Sequence, residues 1–144
     1  MVDLKREAEL REAIELFFFA YRAFTAGPDR ILGQRGLSRV HHRILYFVGR
    51  HPGIDIGTLL RILGVTKQAL NAPLRKVVEM KLVAVQPADR DRRVKELDLT
   101  ASGARLEAQL TGTQAKQLAR VFKRAGGRAE AAWREVMKRC VDSH

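Results

Sequence analysis

The sequence predicts a mainly α-helical chain with one small β-hairpin, and two observations carry that prediction. Apolar residues recur at intervals of three and four in several long segments, which is the period of an amphipathic helix. Between residues 82 and 100 the pattern changes to two short β-prone runs around a charged, turn-forming segment, which predicts strand, loop and strand. The length of 144 residues fits one domain, expected over residues 1–144.

The N-terminal segment predicts a long amphipathic helix over residues 5–26. Gly27 and Pro28 predict its end, because proline lacks the amide hydrogen that a helix interior needs. The apolar positions of this segment lie at helical spacing and are Leu10, Ala13, Ile14, Phe17, Phe18, Tyr21 and Phe24.

The middle of the chain predicts three shorter helices. Ser38 can cap the first of them, which His51-Pro52-Gly53 stops. Asp55 can cap the second, which is short. After a tight turn, Thr66 is the predicted N-cap of the third, which runs to about Lys81.

A hairpin and two further helices complete the predicted order. Leu82–Val85 and Val94–Thr100 are the predicted strands. A helix follows from about Thr100 to Ala125, and Gly126-Gly127 breaks it. The last helix has an apolar stripe made of Ala129, Ala132, Trp133, Val136, Met137, Cys140 and Val141.

The order helix, short helix, tight turn, helix and basic hairpin is that of a winged helix-turn-helix, expected over residues 36–100. The segments 5–30 and 101–144 carry apolar stripes that one small domain cannot easily cover. Pairing with a second copy covers both stripes, so we expect a homodimer held by these terminal dimerisation helices. The predicted fold class is therefore mainly α with a small β-hairpin, a winged helix-turn-helix flanked by N- and C-terminal dimerisation helices.

The distribution of charge indicates the partner. The formal net charge is +11, which favours a polyanion. Residues 61–95 hold nine Lys/Arg against three Asp/Glu, whereas residues 1–30 hold five against six. The basic excess thus covers the third short helix and the hairpin, and a groove-reading layout of this kind favours double-stranded DNA. A membrane surface would instead prefer a basic amphipathic helix with bulky apolar side chains.

Several classes of function are disfavoured by the composition. Cys140 is the only cysteine, which excludes an intramolecular disulfide, favours the cytoplasm and predicts a buried structural thiol. No apolar run approaches the ~20 residues of a membrane span. His41, His42, His51 and His144 lack a tight metal spacing, and no nucleophile–base pair or phosphate loop occurs. We expect no enzyme, catalytic residue, cofactor, metal or membrane partner.

The helix that follows Thr66 has a polar face suited to base recognition. The amides of Gln68 and Asn71 can each match adenine with two hydrogen bonds, and Arg75 can match guanine or hold a phosphate. An ordinary solvated helix face is the alternative, but the position before a basic hairpin favours DNA contact. The predicted DNA-binding residues are Thr66, Lys67, Gln68, Asn71 and Arg75 on this helix, with Arg90 and Arg92 in the hairpin, where an arginine can enter a narrow minor groove.

Pro73 lies in the middle of the same predicted helix. It removes a backbone donor and crowds the carbonyl of Ala69, which costs roughly 3 kcal/mol in an ordinary helix interior. Two interpretations stay open: a bend that aims the first half of the helix into a groove, or a tolerated kink without consequence.

Three stretches carry a family resemblance. They are Leu59–Gln68, the run Arg90-Asp91-Arg92-Arg93 after Leu82-Val83, and Leu97-Asp98-Leu99-Thr100-Ala101-Ser102-Gly103. Together they resemble the MarR family, with its Ser/Thr-capped recognition helix, its wing containing Asp-x-Arg and its Leu-Thr-x-x-Gly entry to the next helix. The resemblance covers residues ~35–110 by motif and the whole chain by helix order.

The resemblance implies roles for further residues. Asp91 and Arg93 would pair to brace the wing, while Arg90 or Arg92 reaches the groove. Tyr21, His41, His42 and Arg43 could line an effector pocket between the dimerisation helices and the DNA-binding part. The resemblance implies a small, often aromatic or anionic ligand there; the alternative is that the two histidines contact only phosphate or solvent.

These observations predict a sequence-specific, double-stranded DNA-binding transcriptional regulator. We expect a homodimeric repressor on a pseudopalindromic operator, released by a small-molecule effector. One alternative is a regulator or architectural DNA-binding protein without an effector. Another is a winged-helix module that binds protein, which DNA affinity that depends on sequence at physiological salt would exclude.

Overall fold

The computed structural model describes residues 3–143, so the predictions for residues 1, 2 and 144 lie outside the described part. The described part is mainly helical with one small antiparallel sheet, as predicted. Its elements are α1 (Leu4–Gln34), α2 (Arg39–Arg50), β1 (Ile54–Asp55), α3 (Ile56–Leu63), α4 (Lys67–Glu79), β2 (Val83–Pro87), β3 (Lys95–Leu99), α5 (Ala101–Ala125) and α6 (Gly127–Asp142).

The first helix does not end at Gly27 and Pro28, and the prediction that it would is wrong. α1 continues through Pro28 to Gln34. Proline leaves the carbonyl of Phe24 without its usual helical donor, and the Nε2 of Gln114 on α5 donates to that oxygen at 3.4 Å. Pro28 itself and Leu32 are buried. Packing against another helix therefore outweighs the local signal to stop.

The core lies between α2, α4, the sheet and the first half of α5. Helices α2 and α5 pack against each other and against α1, and α4 packs on α2 and on β2. The largest fully buried side chains are Leu32, Ile44, Leu45, Val48, Leu59, Leu70, Val77, Leu82, Val83, Leu97, Leu106 and Leu110.

The sheet has three strands in the order β1-β3-β2, all antiparallel. The predicted hairpin is β2 and β3, with Val85 opposite Leu97. The two-residue strand β1 was not predicted; it pairs Ile54 with Leu97 and so ties the start of α3 to the wing. Asp55 both ends β1 and caps α3, accepting a hydrogen bond from the amide of Thr58 at 2.7 Å.

A compact junction joins α4, β2 and α5. The amides of Lys81 and Leu82 donate to the carbonyls of Val78 and Val77, which is the Schellman pattern that closes a helix. Lys81 adopts the left-handed conformation, with φ of +59°. The Thr100 hydroxyl caps α5 by accepting from the Gly103 amide at 3.0 Å and donates to the Lys81 carbonyl at 2.6 Å. The Leu-Thr-x-x-Gly motif is therefore the contact between the reading helix and α5.

The terminal helices leave much apolar surface uncovered in the single chain. Only Thr25, Pro28 and Leu32 of α1 are buried, and no described residue of α6 is. Cys140 is exposed, so the predicted buried thiol does not exist within one chain. It lies on the apolar stripe of α6, where Trp133 contacts the ring of Phe122 on α5 but no described residue is buried. The exposed large apolar side chains of these helices include Leu10, Ile14, Leu16, Phe17, Phe18, Phe19, Trp133, Val136 and Val141.

Candidate nucleic-acid interface and the adjoining cavity

The reading helix α4 is oriented by its cap and its buried face. The Thr66 hydroxyl accepts a hydrogen bond from the Ala69 amide at 3.1 Å, which makes Thr66 the N-cap. Leu70 and Val77 are buried against the core. The opposite face is free, and all the predicted contact residues on it are exposed: Thr66, Lys67, Gln68, Asn71 and Arg75.

Pro73 does not interrupt this helix. α4 runs without a break from Lys67 to Glu79, and Pro73 lies half-buried between the exposed Asn71 and Arg75. Its missing amide leaves the carbonyl of Ala69 without the helical donor that any other residue would supply. Both interpretations of Pro73 are compatible with a continuous helix.

The tip of the hairpin is braced by an arginine and a carboxylate. Arg93 donates from Nε to Asp91 Oδ1 at 3.1 Å and from Nη2 to Oδ2 at 3.0 Å, and its amide donates to Oδ1 at 3.0 Å. The Arg93 guanidinium and amide hold the pKa of Asp91 below its ordinary value. At the base of the loop, Ala88 is buried and its amide donates a hydrogen bond to the carbonyl of Val94 at 2.8 Å.

The other two wing arginines remain available to a ligand. Arg90 is well exposed and lies 4.0 Å from Asp55 Oδ2, an ion pair that contributes only ~0–1 kcal/mol at the surface. Within residues 3–143, Arg92 forms no ion pair, and neither do Lys67 and Arg75 on α4. The reading helix and the wing therefore offer positive charge that no carboxylate of the described chain neutralises.

A cavity of about 440 Å³ lies between α1, α2 and α5. Tyr21, His42 and Arg43, three of the four residues predicted for an effector pocket, line it. His41 does not. Consecutive residues on a helix point about 100° apart, and His41 faces the other way: it is buried, and its Nδ1 accepts from the Ser38 amide at 2.9 Å, at the start of α2.

The cavity walls are joined by hydrogen bonds between the three helices. Arg43 Nη2 donates to the Tyr21 hydroxyl at 2.8 Å, which links α2 to α1. His42 Nε2 lies 3.2 Å from the Thr111 hydroxyl, which links α2 to α5. Burial, and then the nearby charge of Arg43, lowers the pKa of His42.

An ion pair in the same wall was missed by the sequence analysis. Arg39 donates from Nε and Nη2 to both carboxylate oxygens of Asp29, at distances from 2.9 to 3.2 Å. Its guanidinium also lies 5.4 Å from the centre of the Tyr21 ring. Asp29 follows Pro28, where the sequence predicts that the helix ends, so no local pattern places its carboxylate beside Arg39 of α2. The remaining lining residues are Phe24, Thr25, Pro28, Tyr46, Phe47, Thr111, Gln114, Ala115 and Leu118.

Other kinds of site find little support in the part of the chain that the structure describes. No group of three or more His, Cys, Asp or Glu side chains among residues 3–143 could hold a metal ion. No described helix is both long enough and apolar enough to cross a membrane.

Comparison with known proteins gives a consistent set of relatives. The model of the MarR family matches residues 35–94. The HTH-type transcriptional regulator PetP of Rhodobacter capsulatus is 43% identical over 136 residues, which cover 94% of this chain and 82% of that protein. The similarity to PetP thus extends well beyond the winged helix-turn-helix, into both terminal helices.

Solved structures share the fold at low sequence identity. A crystal structure of a MarR family transcription regulator is 19% identical with a TM-score of 0.79, covering 96% of this chain and 91% of that one. Streptococcus pneumoniae FabT in complex with DNA is 15% identical with a TM-score of 0.77, covering 97% and 96%. The MepR–DNA complex of S. aureus is 17% identical with a TM-score of 0.71, covering 90% and 96%.

Proposed function

This chain belongs to the MarR family, and we propose that it is a sequence-specific, double-stranded DNA-binding transcriptional regulator. One observation carries the proposal: the exposed polar face of α4 lies beside a braced basic wing, and Lys67, Arg75 and Arg92 carry positive charges that no carboxylate of residues 3–143 pairs with. The relatives support it, since PetP is named as a transcriptional regulator and FabT and MepR have been crystallised with DNA. The protein would act in the cytoplasm, as a regulator and not as an enzyme.

The mode of binding follows from the two surfaces. The start of α4 would enter the major groove, where Gln68 and Asn71 can read base edges and Arg75 can read a base or hold a phosphate. Arg90 and Arg92 would lie in the flanking minor groove, whose negative potential attracts arginine. Two copies related by a two-fold axis would then need two half-sites about one helical turn apart, that is, a pseudopalindromic operator.

Release by a small molecule is the further part of the proposal. The cavity supports it because α2 lines the cavity with one face and packs on α4 with another. A ligand that moved α2 would therefore move the reading helix relative to the terminal helices. A regulator or architectural protein without an effector, and a winged-helix module that binds protein, are the competing functions.

Substitutions on the two surfaces test the proposal after bound sequences have been selected from random DNA. Gln68→Ala and Asn71→Ala should relax preference at particular base positions, because each removes a two-hydrogen-bond match. Arg90→Ala and Arg92→Ala should weaken binding to specific and random duplexes alike. Each should also make the dependence of affinity on salt shallower by about one unit per lost contact.

Arg139→Ala, on the exposed surface of α6 and paired with Glu135, is the matched control and should leave both properties unchanged. Full specificity in the Gln68 and Asn71 variants would show that α4 is not the reader. Selection of no sequence at physiological salt would favour the protein-binding module.

A further inference from the structure

Two hydrogen bonds tie the C-terminal end of the reading helix to the ends of other helices. Just after α4, the carbonyl of Lys81 accepts from the Thr100 hydroxyl at the start of α5. Within α4, Lys76 donates from Nζ to the carbonyl of Gly36, in the turn between α1 and α2. Among residues 3–143, this is the only side-chain hydrogen bond from α4 to another element. Lys76 is therefore a specific link between the reading helix and the end of α1.

The turn that Lys76 contacts is the C-terminal cap of α1. The amides of Gly36 and Leu37 donate to carbonyls in the last turn of α1, which is the Schellman pattern. Gly36 adopts the left-handed conformation that this pattern uses, with φ of +70°, and Leu37 is buried in the core. The last turn of α1 contains no basic residue. The Lys76 ammonium therefore supplies the positive charge that stabilises the carbonyl end of a helix.

The position of the Lys76 ammonium is also defined on the side of α2. Burial, and then the charge of Lys76, lowers the pKa of His41, so the ammonium lies near this imidazole. His41 Nδ1 accepts a hydrogen bond from the Ser38 amide at 2.9 Å and so closes the start of α2. No carboxylate of residues 3–143 lies within ion-pair distance of Lys76. Its ammonium thus lies where α1 ends and α2 begins.

This contact lies towards the opposite end of α4 from the residues that are expected to read bases. Gln68 and Asn71 precede Lys76 by eight and five positions, or about 12 and 8 Å along the helix axis at about 1.5 Å per residue. Leu70 and Val77 hold α4 on the core by apolar contact, which is not directional. The Lys76 hydrogen bond is directional, so it restricts the angle of α4 on the core. A change in that angle displaces the reading end.

We propose that Lys76 is a positioning residue that sets the half-site spacing which the dimer accepts, without contacting a base itself. The inference rests on the proposed function, in which two copies of α4 read two half-sites, and adds the residue that fixes their separation. In each subunit, the contact between Lys76 and Gly36 holds α4 against the end of α1, a predicted dimerisation helix. The separation of the two α4 helices is then fixed through α1, and the spacing of the operator must match it.

Competition binding to operators of altered spacing tests this role. The selected operator is compared with duplexes in which one base pair is inserted or removed between the half-sites, which shifts one half-site by about 3.4 Å and rotates it by about 35°. Lys76→Gln should reduce the preference for the original spacing about fivefold or more, because a hydrogen bond from a charged donor is lost. Base preferences within each half-site should stay unchanged. Lys76→Arg keeps a charged donor and should restore the spacing preference.

The matched control is Glu79→Gln, on the same helix. Glu79 is exposed and forms no ion pair within residues 3–143. Its substitution changes one charge on α4 without touching the turn between α1 and α2. Glu79→Gln should therefore keep the spacing preference of the wild type.

The dependence of affinity on salt separates positioning from direct contact with DNA. Lys76 is exposed, so a bond to a phosphate is the competing role. Loss of a phosphate contact would weaken binding to operator and random duplexes alike and make the salt dependence shallower by about one unit. In the positioning role, Lys76→Gln keeps the random-duplex affinity and the salt dependence of the wild type.

A distance measurement without DNA tests the same contact independently. Nitroxide labels at Ala72→Cys, an exposed position of α4, report the separation of the two reading helices in the dimer. The labelled protein carries Cys140→Ala, so that Ala72→Cys is its one cysteine. Lys76→Gln should broaden the distribution of label distances, whereas Lys76→Arg should keep it as narrow as in the protein with Lys76.

Four results in variants that thermal melts show to be folded would overturn the inference. They are an unchanged spacing preference in Lys76→Gln, an equal loss of operator and random affinity with a shallower salt dependence, an unchanged distance distribution, and no restoration by Lys76→Arg. A wild type that binds all spacings equally well would also overturn it and leave the proposed function standing. Absence of sequence-dependent DNA binding in the wild type would contradict the proposed function instead, and the label distances would still test the contact.

Discussion

At the scale of single residues, Gly103 lies at a position where a side chain would not fit. A Cβ atom at this position would overlap the carbonyl oxygen of Leu82, which accepts a hydrogen bond from the Thr100 amide at 3.0 Å. The clashing atoms belong to the backbone of Leu82, which is held by hydrogen bonds, so they cannot move aside as a flexible side chain could. Gly103 is needed because the start of α5 lies directly against the backbone of Leu82, just before β2.

Substitution of this glycine should be strongly destabilising. Gly103→Ala must push α5 away from β2 and should lower the free energy of unfolding by about 3 kcal/mol or leave the protein unfolded, as overpacking does. Gly112→Ala, in the interior of the same helix with open space around its Cβ, should raise that free energy by about 0.5–1 kcal/mol. Urea denaturation measures both; a stable Gly103→Ala would contradict the role assigned to this junction.

The two adjacent histidines of α2 predict a loss of stability in acid. Burial lowers the pKa of His41 and of His42, with Lys76 and Arg43 acting in the same direction. Their contribution is complete above the unfolded value of about 6.5 and is lost as pH falls from there through the lower folded pKa, because the unfolded chain binds protons first. Unfolding free energies between about pH 8 and pH 5 should fall below pH 6.5, and His42→Gln should make that decline shallower. An equally steep decline in His42→Gln would exclude this residue.

At the scale of elements, the sequence predicted those helix ends that are determined by the residues at the ends themselves. The caps Asp55 and Thr66 and the break at Gly126 are side-chain or backbone properties of the residues themselves, and each is found where it was expected. In α1, the carbonyl that Pro28 leaves free accepts a hydrogen bond from Gln114, 86 positions after the proline. β1 exists because Ile54 pairs with Leu97. Both contacts join residues that are far apart in sequence, so a local sequence pattern could not predict them.

In α4, no side chain of residues 3–143 replaces the backbone donor that Pro73 lacks. At Pro28, Gln114 donates to the carbonyl that the proline leaves free; no described side chain does the same for Ala69 opposite Pro73. Pro73→Ala restores a helical hydrogen bond and should raise the free energy of unfolding by about 1–3 kcal/mol. If the proline aims Lys67, Gln68 and Asn71, the same variant should bind its operator less tightly, with random-sequence affinity little changed, since phosphate contacts can readjust.

Thermal melts paired with titrations of operator and random duplexes decide between the two interpretations. We expect the weaker operator binding, because Pro73 follows directly on the exposed reading face. A more stable variant that keeps its full specificity would make Pro73 a tolerated kink and nothing more.

At the scale of the whole molecule, sequence patterns predicted the exposed surfaces better than the contacts between side chains. The apolar stripes of the terminal helices are exposed in the single chain, and so are the polar face of α4 and the wing arginines Arg90 and Arg92. Their roles in dimerisation and DNA binding stay predictions.

The cavity was only partly predicted: three of its expected residues line it, His41 does not, and Asp29 and Arg39 were missed. A cavity wall is made by helices far apart in sequence, which is why the pair of Asp29 and Arg39 was not predicted. The position of His41 could have been predicted, because it lies three, four and seven residues before Ile44, Leu45 and Val48 and shares their buried face.

The apolar stripes of α1 and α6 are largely exposed in the single chain. Val136 is 58% exposed and Phe17 is 55% exposed, and Leu10, Ile14 and Trp133 are exposed nearby along the same two helices. Contiguous apolar surface of this kind marks an interface, and a second copy offers the same stripes through a two-fold axis. We therefore expect the wild type to sediment as a dimer at micromolar concentration.

A charge placed on the stripe tests this dimer. Val136→Glu, or Met137→Glu beside it, would bury an unpaired carboxylate between the two copies, which typically costs several kcal/mol, and should yield monomers or unfolded chain. Ala131→Glu introduces the same charge on the opposite face of α6, where it is exposed, and should remain dimeric. Sedimentation and circular dichroism of the three proteins separate dissociation from unfolding. A folded wild-type monomer, or a Val136→Glu variant that stays dimeric while Ala131→Glu dissociates, would show that the stripe is not the interface.

Because a dimer is what brings two α4 helices to one operator, monomeric Val136→Glu should also lose most of its operator affinity while still binding random DNA weakly through α4 and the wing.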